Sequence, residues 1–202
     1  MPYAGGVKDF GVADALVVID MQRAFVEGPT AIPRIGAVLA AAQHQIEAAH
    51  AVGALVIFLQ NDGGAEEPDQ PRTCGWELAF EPHRGDVVVR KRHDDGFIGT
   101  DLDLLLRDQR VTTISLCGVM SEMCVAATAR SAMQRGYDVV LAHDAHGTYP
   151  VPALASEEPE VPAELAARAA EWSLGDDVLI PHTSQAVHFR RPIPEDPRDD
   201  AS

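Results

Sequence analysis

The sequence predicts a three-layer α/β/α fold, a mostly parallel sheet of roughly six strands with helices on both faces. Two observations predict it: short β-branched runs typical of strands buried on both faces, and helical patterns that alternate with them along the chain. A length of 202 residues fits one domain. We therefore expect a single domain over residues 1–189 and a polar C-terminal tail over residues 190–202, which lacks apolar periodicity.

The first half of the chain predicts a strand, a helix and a second strand. Residues 15–19 form a continuous apolar run that stops at Asp20, as a buried strand does. Residues 34–51 carry apolar side chains at helical spacing, and Gly53 lies just beyond them as a stop. Residues 54–59 form the next apolar run. Residues 61–85 are rich in Gly, Pro, Asp and Glu, which predicts a long functional loop.

The second half continues the alternation. Strands are predicted over residues 86–90 and 111–117, and Thr100 is expected to cap the helix between them. Residues 118–123 predict a turn into a helix that runs to about Arg135 and stops at Gly136. The remaining predicted elements are a strand over residues 139–142, a helix over 163–174 and a short strand over 178–180.

Composition excludes several classes of function. The chain has 16 basic and 31 acidic residues, a formal net charge of −15, which argues against a nucleic-acid or anionic-membrane surface. We find no targeting segment and no apolar run of membrane length, so we expect a cytoplasmic protein. Three cysteines without a CxxC pair predict neither a disulfide framework nor a zinc site. No GxGxxG follows a strand, which argues against a dinucleotide-binding module. We expect no cofactor.

Three reactive side chains follow three of the predicted strands. Asp20 ends the first strand, Lys91 ends the third, and Cys124 opens the helix after the fourth. Sites of parallel sheets lie beyond the carboxyl ends of the strands, so we expect these residues to meet. Lys91 is one of two lysines among 16 basic residues, which suggests a need for a compact ammonium group.

The predicted helix start at Cys124 supports a reactive thiol. Backbone N–H groups at a helix N-terminus stabilise a thiolate, and those of residues 118–123 would form an oxyanion hole. A thiolate, a carboxylate that shuttles its proton and an ammonium group suit acyl transfer. The bland alternatives are that Asp20 caps a turn, that Lys91 is a solvated charge and that Cys124 fills the core.

Other thiols and histidines offer weaker candidates. Cys117 lies inside an apolar strand and is expected in the core, whereas Cys74 on the long loop is the second thiol candidate. A Cys–His dyad is the next enzymatic hypothesis. The sequence places His143 and His146 on the surface or in loops.

Three motifs occur in order along the chain: Val17 to Gln22, Val89 to Lys91 with Gly96 to Leu102, and Gly118 to Val125 with Thr128 to Arg130. Together they resemble the isochorismatase-like cysteine hydrolases over about residues 14–189. The resemblance implies an Asp20–Lys91–Cys124 triad and a non-proline cis peptide bond between Val119 and Met120. It also implies an oxyanion hole formed by the backbone N–H groups of Met120 and Cys124.

The resemblance also narrows the chemistry. Metal-dependent nicotinamidases carry an Asp-x-His pair after the second strand, where this chain has Gln60 to Gly64, so no metal is expected. True isochorismatases, which cleave a vinyl ether, lack the nucleophilic cysteine, so Cys124 favours hydrolysis of an amide, lactam or ureide bond. Within the family, streptothricin hydrolase-like members look most similar. A non-hydrolytic, redox-sensing member with a reversibly oxidised Cys124 is the alternative from another class.

Residues on loops beside the triad are the expected substrate contacts. They are Phe25, Gln60, Asn61, Trp76 and Phe97, with Met120 as a further candidate. Trp76 and Phe97 have an equally good interpretation as core or subunit-interface residues. The negative charge of the chain favours a neutral or cationic small-molecule amide as substrate. The resemblance further implies a homodimer or homotetramer.

Overall fold

The computed structural model describes residues 11–154 and 158–192. Its strands are β1 Val12–Ala13, β2 Ala15–Ile19, β3 Leu55–Asn61, β4 Val87–Lys91, β5 Thr113–Val119, β6 Asp138–Gly147, β7 Val178–Leu179 and β8 His188–Phe189. Its α-helices are α1 Arg23–Val26, α2 Ile35–Val52, α3 Leu102–Asp108, α4 Ala126–Gln134 and α5 Ala163–Trp172. Short 3₁₀ turns cover Gly28–Thr30, Cys74–Trp76 and Ser184–Ala186, and a π-helical turn covers Ser121–Val125.

Six of the strands form one parallel sheet in the order β4-β3-β2-β5-β6-β7. The central strand β2 is buried along its whole length, because its alternate side chains enter a core on each face of the sheet. One core contains apolar side chains of α2, and the other contains those of α3 and α4. The predicted three-layer α/β/α fold with a mostly parallel, six-stranded sheet is confirmed.

Two strands run further than the sequence predicts. β5 continues to Val119, and β6 continues from the predicted end at Ala142 to Gly147. The extension of β6 contains polar residues, which apolar periodicity does not mark as strand. Tertiary hydrogen bonds satisfy them, for example those from the Ser184 N–H and hydroxyl to the Asp144 carboxylate at 2.7 and 3.2 Å. His146, expected on the surface or in a loop, is therefore a buried strand residue.

Smaller differences concern helix starts and short strands. The N-cap of α3 is Asp101, while the Thr100 hydroxyl accepts a 3.3 Å hydrogen bond from the Leu102 N–H. The parallel pair of β1 and β8 is not predicted, because two-residue strands carry no periodicity. The single-domain boundary at residue 189 stays a prediction, and residues 193–202 of the predicted tail lie outside the described residues. No helix in the described ranges is long and apolar enough to cross a membrane.

Candidate active site

The carboxyl ends of β2, β4 and β5 bring the three predicted catalytic side chains together. The Lys91 ammonium nitrogen Nζ lies 2.7 Å from Oδ2 of Asp20 and 3.2 Å from Sγ of Cys124. Nζ also donates to the His93 carbonyl at 3.2 Å. The side chains of Lys91 and Asp20 are only 0% and 4% exposed, whereas Cys124 is partly exposed. One buried cation thus contacts both a buried carboxylate and an accessible sulfur.

Asp20 marks a sharp change of direction at the end of β2. Its backbone is left-handed, with φ of 50°, a conformation that Asp tolerates better than most residues. The Asp20 N–H still donates to the Leu59 carbonyl of β3 at 3.0 Å, so the residue remains tied to the sheet. Its Oδ1 atom is buried and has no hydrogen-bond partner among the described residues. This oxygen is therefore available to accept a proton.

Burial dominates the ionisation of the triad. Desolvation raises the pKa of Asp20, and the neighbouring Lys91 ammonium offsets this only in part. Burial alone would lower the pKa of Lys91, but the Asp20 carboxylate and the Cys124 sulfur outweigh it and raise the pKa. Burial and the Asp20 carboxylate also raise the pKa of the Cys124 thiol. Burial therefore favours a protonated Cys124 thiol beside the Asp20 carboxyl group, whereas a helix start alone would favour a thiolate.

The turn that carries Cys124 differs from the predicted start of an α-helix. The π-helical segment Ser121–Val125, which we call the cysteine turn, precedes α4. The N–H groups of Met123 and Val125 both donate to the Met120 carbonyl at 3.2 Å. The peptide bond between Val119 and Met120, just before this turn, is cis.

A second carboxylate lies at the accessible side of the sulfur. Oδ1 of the exposed Asp94 is 3.7 Å from Sγ of Cys124. Thr128 on α4 holds this loop, because its hydroxyl accepts from the Gly96 N–H at 3.0 Å and donates to the Asp94 carbonyl at 3.4 Å. A Cβ at Gly96 would lie 2.4 Å from Cδ1 of Leu59, so a side chain there would have to displace this buried leucine. Asp94 lies between the motifs Val89 to Lys91 and Gly96 to Leu102, and no sequence pattern marks it as functional.

Two of the predicted substrate contacts, Asn61 and Trp76, are tied to the end of β2 through Gln22. Nε2 of Gln22 donates to the carbonyls of Asn61 and Trp76 at 3.0 Å, and its Oε1 accepts from the Asn61 N–H at 2.7 Å. Nε2 of Gln60 also donates to the Trp76 carbonyl at 2.8 Å. The Trp76 indole donates to Asp62 at 3.1 Å and faces the Arg90 guanidinium. These contacts order the predicted loop beside Asp20. Gln22 lies in the first motif, which was the available signal for its role.

The two predicted phenylalanine contacts lie in different places. Phe25 on α1 is half-buried and packs against the core that contains α2. Phe97 is only 5% exposed, lies in the opposite core and stacks with Tyr137 beneath the Arg135 guanidinium. This burial favours the core interpretation of Phe97 over the expected substrate contact, because an enclosed ring offers little surface to a ligand.

The other cysteines and His146 differ in their burial. Cys74 is exposed on the loop, and Cys117 is fully buried, where desolvation raises the pKa of its thiol to about 12. Within the described ranges, no group of three or more His, Cys, Asp or Glu side chains could hold a metal ion. His146 is buried against Ser121 and Glu171, a cluster that sequence spacing did not reveal.

Comparison with known proteins shows which family this chain resembles. The family model named Isochorismatase domain matches residues 14–156. Two streptothricin hydrolases from Streptomyces noursei are 50% and 49% identical over 183 and 180 residues. These matches cover 89% and 88% of this chain, which spans 73% and 65% of the two relatives' own lengths.

More distant relatives agree. A ureidoacrylate amidohydrolase from Azorhizobium caulinodans is 27% identical over 169 residues, which cover 65% of this chain and 74% of that protein. The crystal structure of an isochorismatase from Pseudomonas putida KT2440 has a TM-score of 0.79 at 24% identity, covers 86% of this chain and 90% of its own, and shows the shared fold. With a family model matched over most of its length and relatives at half identity, this chain belongs to the isochorismatase family of hydrolases.

Proposed function

We propose that this protein is a metal-independent cysteine hydrolase that cleaves an amide, lactam or ureide bond of a small molecule through a Cys124 thioester. Its class is a hydrolase acting on carbon–nitrogen bonds other than peptide bonds, in line with its streptothricin hydrolase and ureidoacrylate amidohydrolase relatives. One observation carries the mechanism: the buried Lys91 ammonium contacts both the Asp20 carboxylate and the Cys124 sulfur.

Acylation begins with the free oxygen of Asp20. Oδ1 of Asp20 takes the thiol proton while the Cys124 sulfur attacks the substrate carbonyl, so that a sulfur–carbon bond forms and the carbonyl electron pair moves to oxygen. The backbone N–H groups of Met120 and Cys124 hold this oxyanion. Lys91 stabilises the developing thiolate across 3.2 Å. The raised pKa of Asp20 makes it a stronger base than an ordinary carboxylate.

Expulsion of the amine and hydrolysis complete the cycle. The carbon–nitrogen bond breaks as the leaving nitrogen takes the proton from Asp20, which leaves a thioester on Cys124. A water molecule then attacks the thioester and gives its proton to Asp20. The carbon–sulfur bond breaks, and the thiolate recovers that proton. An open-chain amide gives a carboxylic acid and an amine or ammonia, a lactam gives a single amino acid, and a ureide cleaved at its urea carbonyl gives a carbamic acid and an amine or ammonia. The enzyme returns to its starting state.

The redox-sensing alternative fits the site less well. Sensor cysteines carry low thiol pKa values, because the thiolate is the species that peroxide oxidises. In this site burial and Asp20 raise the pKa of the Cys124 thiol. A vinyl ether hydrolase of the isochorismatase type would have no use for the sulfur.

The experiment that tests the proposal is an ammonia- and amine-release screen over small amides, ureides and lactams, with streptothricin as the first compound. We expect Cys124→Ala to lose at least about a thousandfold in turnover of any substrate found. Mass spectrometry of the Cys124 peptide after rapid acid quenching should show an acyl adduct. Oxidation products without an acyl adduct would favour the sensor.

The matched control is the exposed thiol of the loop. Cys74→Ser removes a cysteine at a position outside the triad and should keep wild-type turnover. If Cys124→Ala turned over substrate as fast as the wild type, the thioester mechanism would be wrong.

The charges around the sulfur support a neutral or cationic substrate. Lys91 is already paired with Asp20, and Arg90 points away to Asp62 with contacts of 2.9 and 2.7 Å. Arg92 also lies near Asp62, at 3.7 Å. The Asp94 carboxylate, by contrast, faces the sulfur at 3.7 Å with no basic side chain paired to it in the described residues. The accessible side of the nucleophile therefore carries a negative charge.

This preference predicts a substrate-dependent effect of Asp94→Asn. For a cationic amide, KM should rise about fivefold, because one exposed charge pair contributes up to roughly 1 kcal/mol to binding. For a neutral amide of the same shape, KM should stay within twofold. Asp108→Asn, at the exposed end of α3, removes the same charge elsewhere and is the control. Equal KM changes for both amides would contradict a local charge effect.

The homodimer or homotetramer and the cytoplasmic location stay predictions.

A further inference from the structure

A buried chain of hydrogen bonds begins at the cysteine turn and leads to α5. The Ser121 hydroxyl is 2.8 Å from Nδ1 of His146, and Nε2 of His146 is 3.0 Å from Oε1 of Glu171. Nδ1 of His143 lies 2.5 Å from the same oxygen, and Arg168 donates a hydrogen bond to Oε2 of Glu171 at 2.7 Å. Ser121, His146 and Glu171 are only 2%, 4% and 1% exposed. The mechanism proposed above uses none of them.

The carboxylate of Glu171 fixes the direction of its own hydrogen bond with His146. Burial alone would raise the pKa of Glu171, but hydrogen bonds from His146 and His143 outweigh it and hold the pKa at about 2. An ionised carboxylate only accepts hydrogen bonds, so Nε2 of His146 carries the hydrogen. The other ring nitrogen, Nδ1, is then turned toward the Ser121 hydroxyl at 2.8 Å. Glu171 thus orients His146 so that its ring holds Ser121.

An irregularity in the sheet places His146 at this point. β5 advances two residues from Leu116 to Gly118 while β6 advances five from Leu141 to His146. Such irregularities re-aim side chains where a regular ladder would not. Here His146 becomes the partner of Gly118, immediately before Val119 and the cis peptide bond. A polar side chain of β6 therefore meets the first residue of the cysteine turn.

A second contact ties the same turn to the same strand end. The Thr148 hydroxyl, just beyond β6, donates to Oε1 of Glu122 at 2.9 Å. Ser121 and Glu122, the first two residues of the cysteine turn, are thus both held by side chains from the end of β6. Ser121 is too buried to attack a substrate, so its hydroxyl positions the turn and is not a second nucleophile.

We propose that His146 is a positioning residue for the hydrolytic reaction. Through Ser121 it holds the cysteine turn at the angle at which the Met120 and Cys124 N–H groups face the oxyanion, and Glu171 holds His146 in turn. This inference rests on the proposed Cys124 hydrolysis. It assigns the Ser121–His146–Glu171 cluster to the alignment of the oxyanion hole, without contact between these side chains and the substrate.

The test compares chemistry with thiol reactivity in Ser121→Ala and His146→Asn. Removing one oxyanion donor costs about 10²–10³ in kcat, so misaligning two donors should lower kcat about tenfold to hundredfold, with KM within threefold. Alkylation of Cys124 by iodoacetamide forms no oxyanion and should stay within twofold of wild type. Because both residues act through one hydrogen bond, the double variant should be no slower than the slower single variant.

Two variants provide matched controls. Ser131→Ala removes a buried hydroxyl on α4, and His50→Asn breaks a histidine–carboxylate contact of 2.8 Å to Asp86 at the other end of the sheet. Both should keep wild-type kcat. The proposal is overturned if kcat of the two single variants stays within twofold of wild type, or if alkylation falls in proportion to kcat, which would indicate a general loss of structure. Failure of the Cys124 mechanism itself shows separately, as turnover by Cys124→Ala.

Discussion

Gly118→Ala should perturb both the sheet and Asp20, the proposed catalytic base. A Cβ at Gly118 would lie 2.0 Å from the Ile19 carbonyl oxygen and within 2.9 Å of two further Ile19 backbone atoms. Both residues lie in paired strands, so neither can yield without moving the ladder. The φ of 131° adds strain for any residue with a side chain. Backbone strain costs about 1–3 kcal/mol and overpacking about 1–3 kcal/mol, so we expect a loss of about 2 to 6 kcal/mol in unfolding free energy.

Urea unfolding followed by far-UV circular dichroism measures this loss. Gly36→Ala is the matched control, because its Cβ would meet nothing within 4 Å in α2 and should raise the free energy of unfolding by about 0.4–1 kcal/mol. Since Ile19 directly precedes Asp20, any folded Gly118→Ala protein should also show a kcat at least about tenfold lower. Neutral surface substitutions change the free energy of unfolding by up to roughly 0.5 kcal/mol. A change no larger than this in Gly118→Ala would refute the reasoning.

Three further predictions follow from buried charges. Because desolvation raises the pKa of Asp20, its protonation should lower kcat/KM at a pH above the ordinary carboxyl pKa of about 4. A decrease of kcat/KM that begins only at or below that pH would contradict this prediction. Lys91→Arg keeps the charge but not the shape, and in a fully buried site it should lower kcat at least about a hundredfold; near-normal kcat would show that charge alone suffices. Glu171 has a folded-state pKa of about 2, below its ordinary 4.5, so its ionised form stabilises the fold at higher pH, and this stabilisation is lost as pH falls from about 5 toward 2. Urea unfolding should therefore show wild type losing about 2 kcal/mol more than Glu171→Gln between pH 5 and pH 3, and equal losses would rule this out.

Strong local patterns predicted most of the fold. β2 was predicted with its observed bounds, because every one of its side chains is apolar and both faces of the sheet are covered. α2 was predicted to within one residue, since its apolar spacing is regular and Gly53 takes the left-handed conformation that ends it. The polar half of β6 was missed, because its side chains are satisfied by partners 25 to 40 residues away in sequence.

The candidate site also combines features that could be predicted from the sequence with features that required the structure. Asp20, Lys91 and Cys124 could be singled out from the sequence because each follows a recognisable strand, and parallel strands end at one edge of a sheet. Their distances, the burial that raises the pKa of the thiol, and the neighbouring Asp94 required the structure. Phe97 shows the limit most clearly: its place in the chain suggested a ligand contact, and the packing of Tyr137 and Arg135 around it encloses the ring.

Sequence alone determined the order of strands and helices and the chemical identity of the reactive groups, because apolar period and residue type are local properties. Tertiary structure decided which polar side chains meet. The Ser121–His146–Glu171 chain joins a turn, a strand and a helix across 25 residues at each step, through a shift in strand register that leaves no periodic mark. Such contacts depend on how packed elements are offset from one another, and that offset is set by the whole fold.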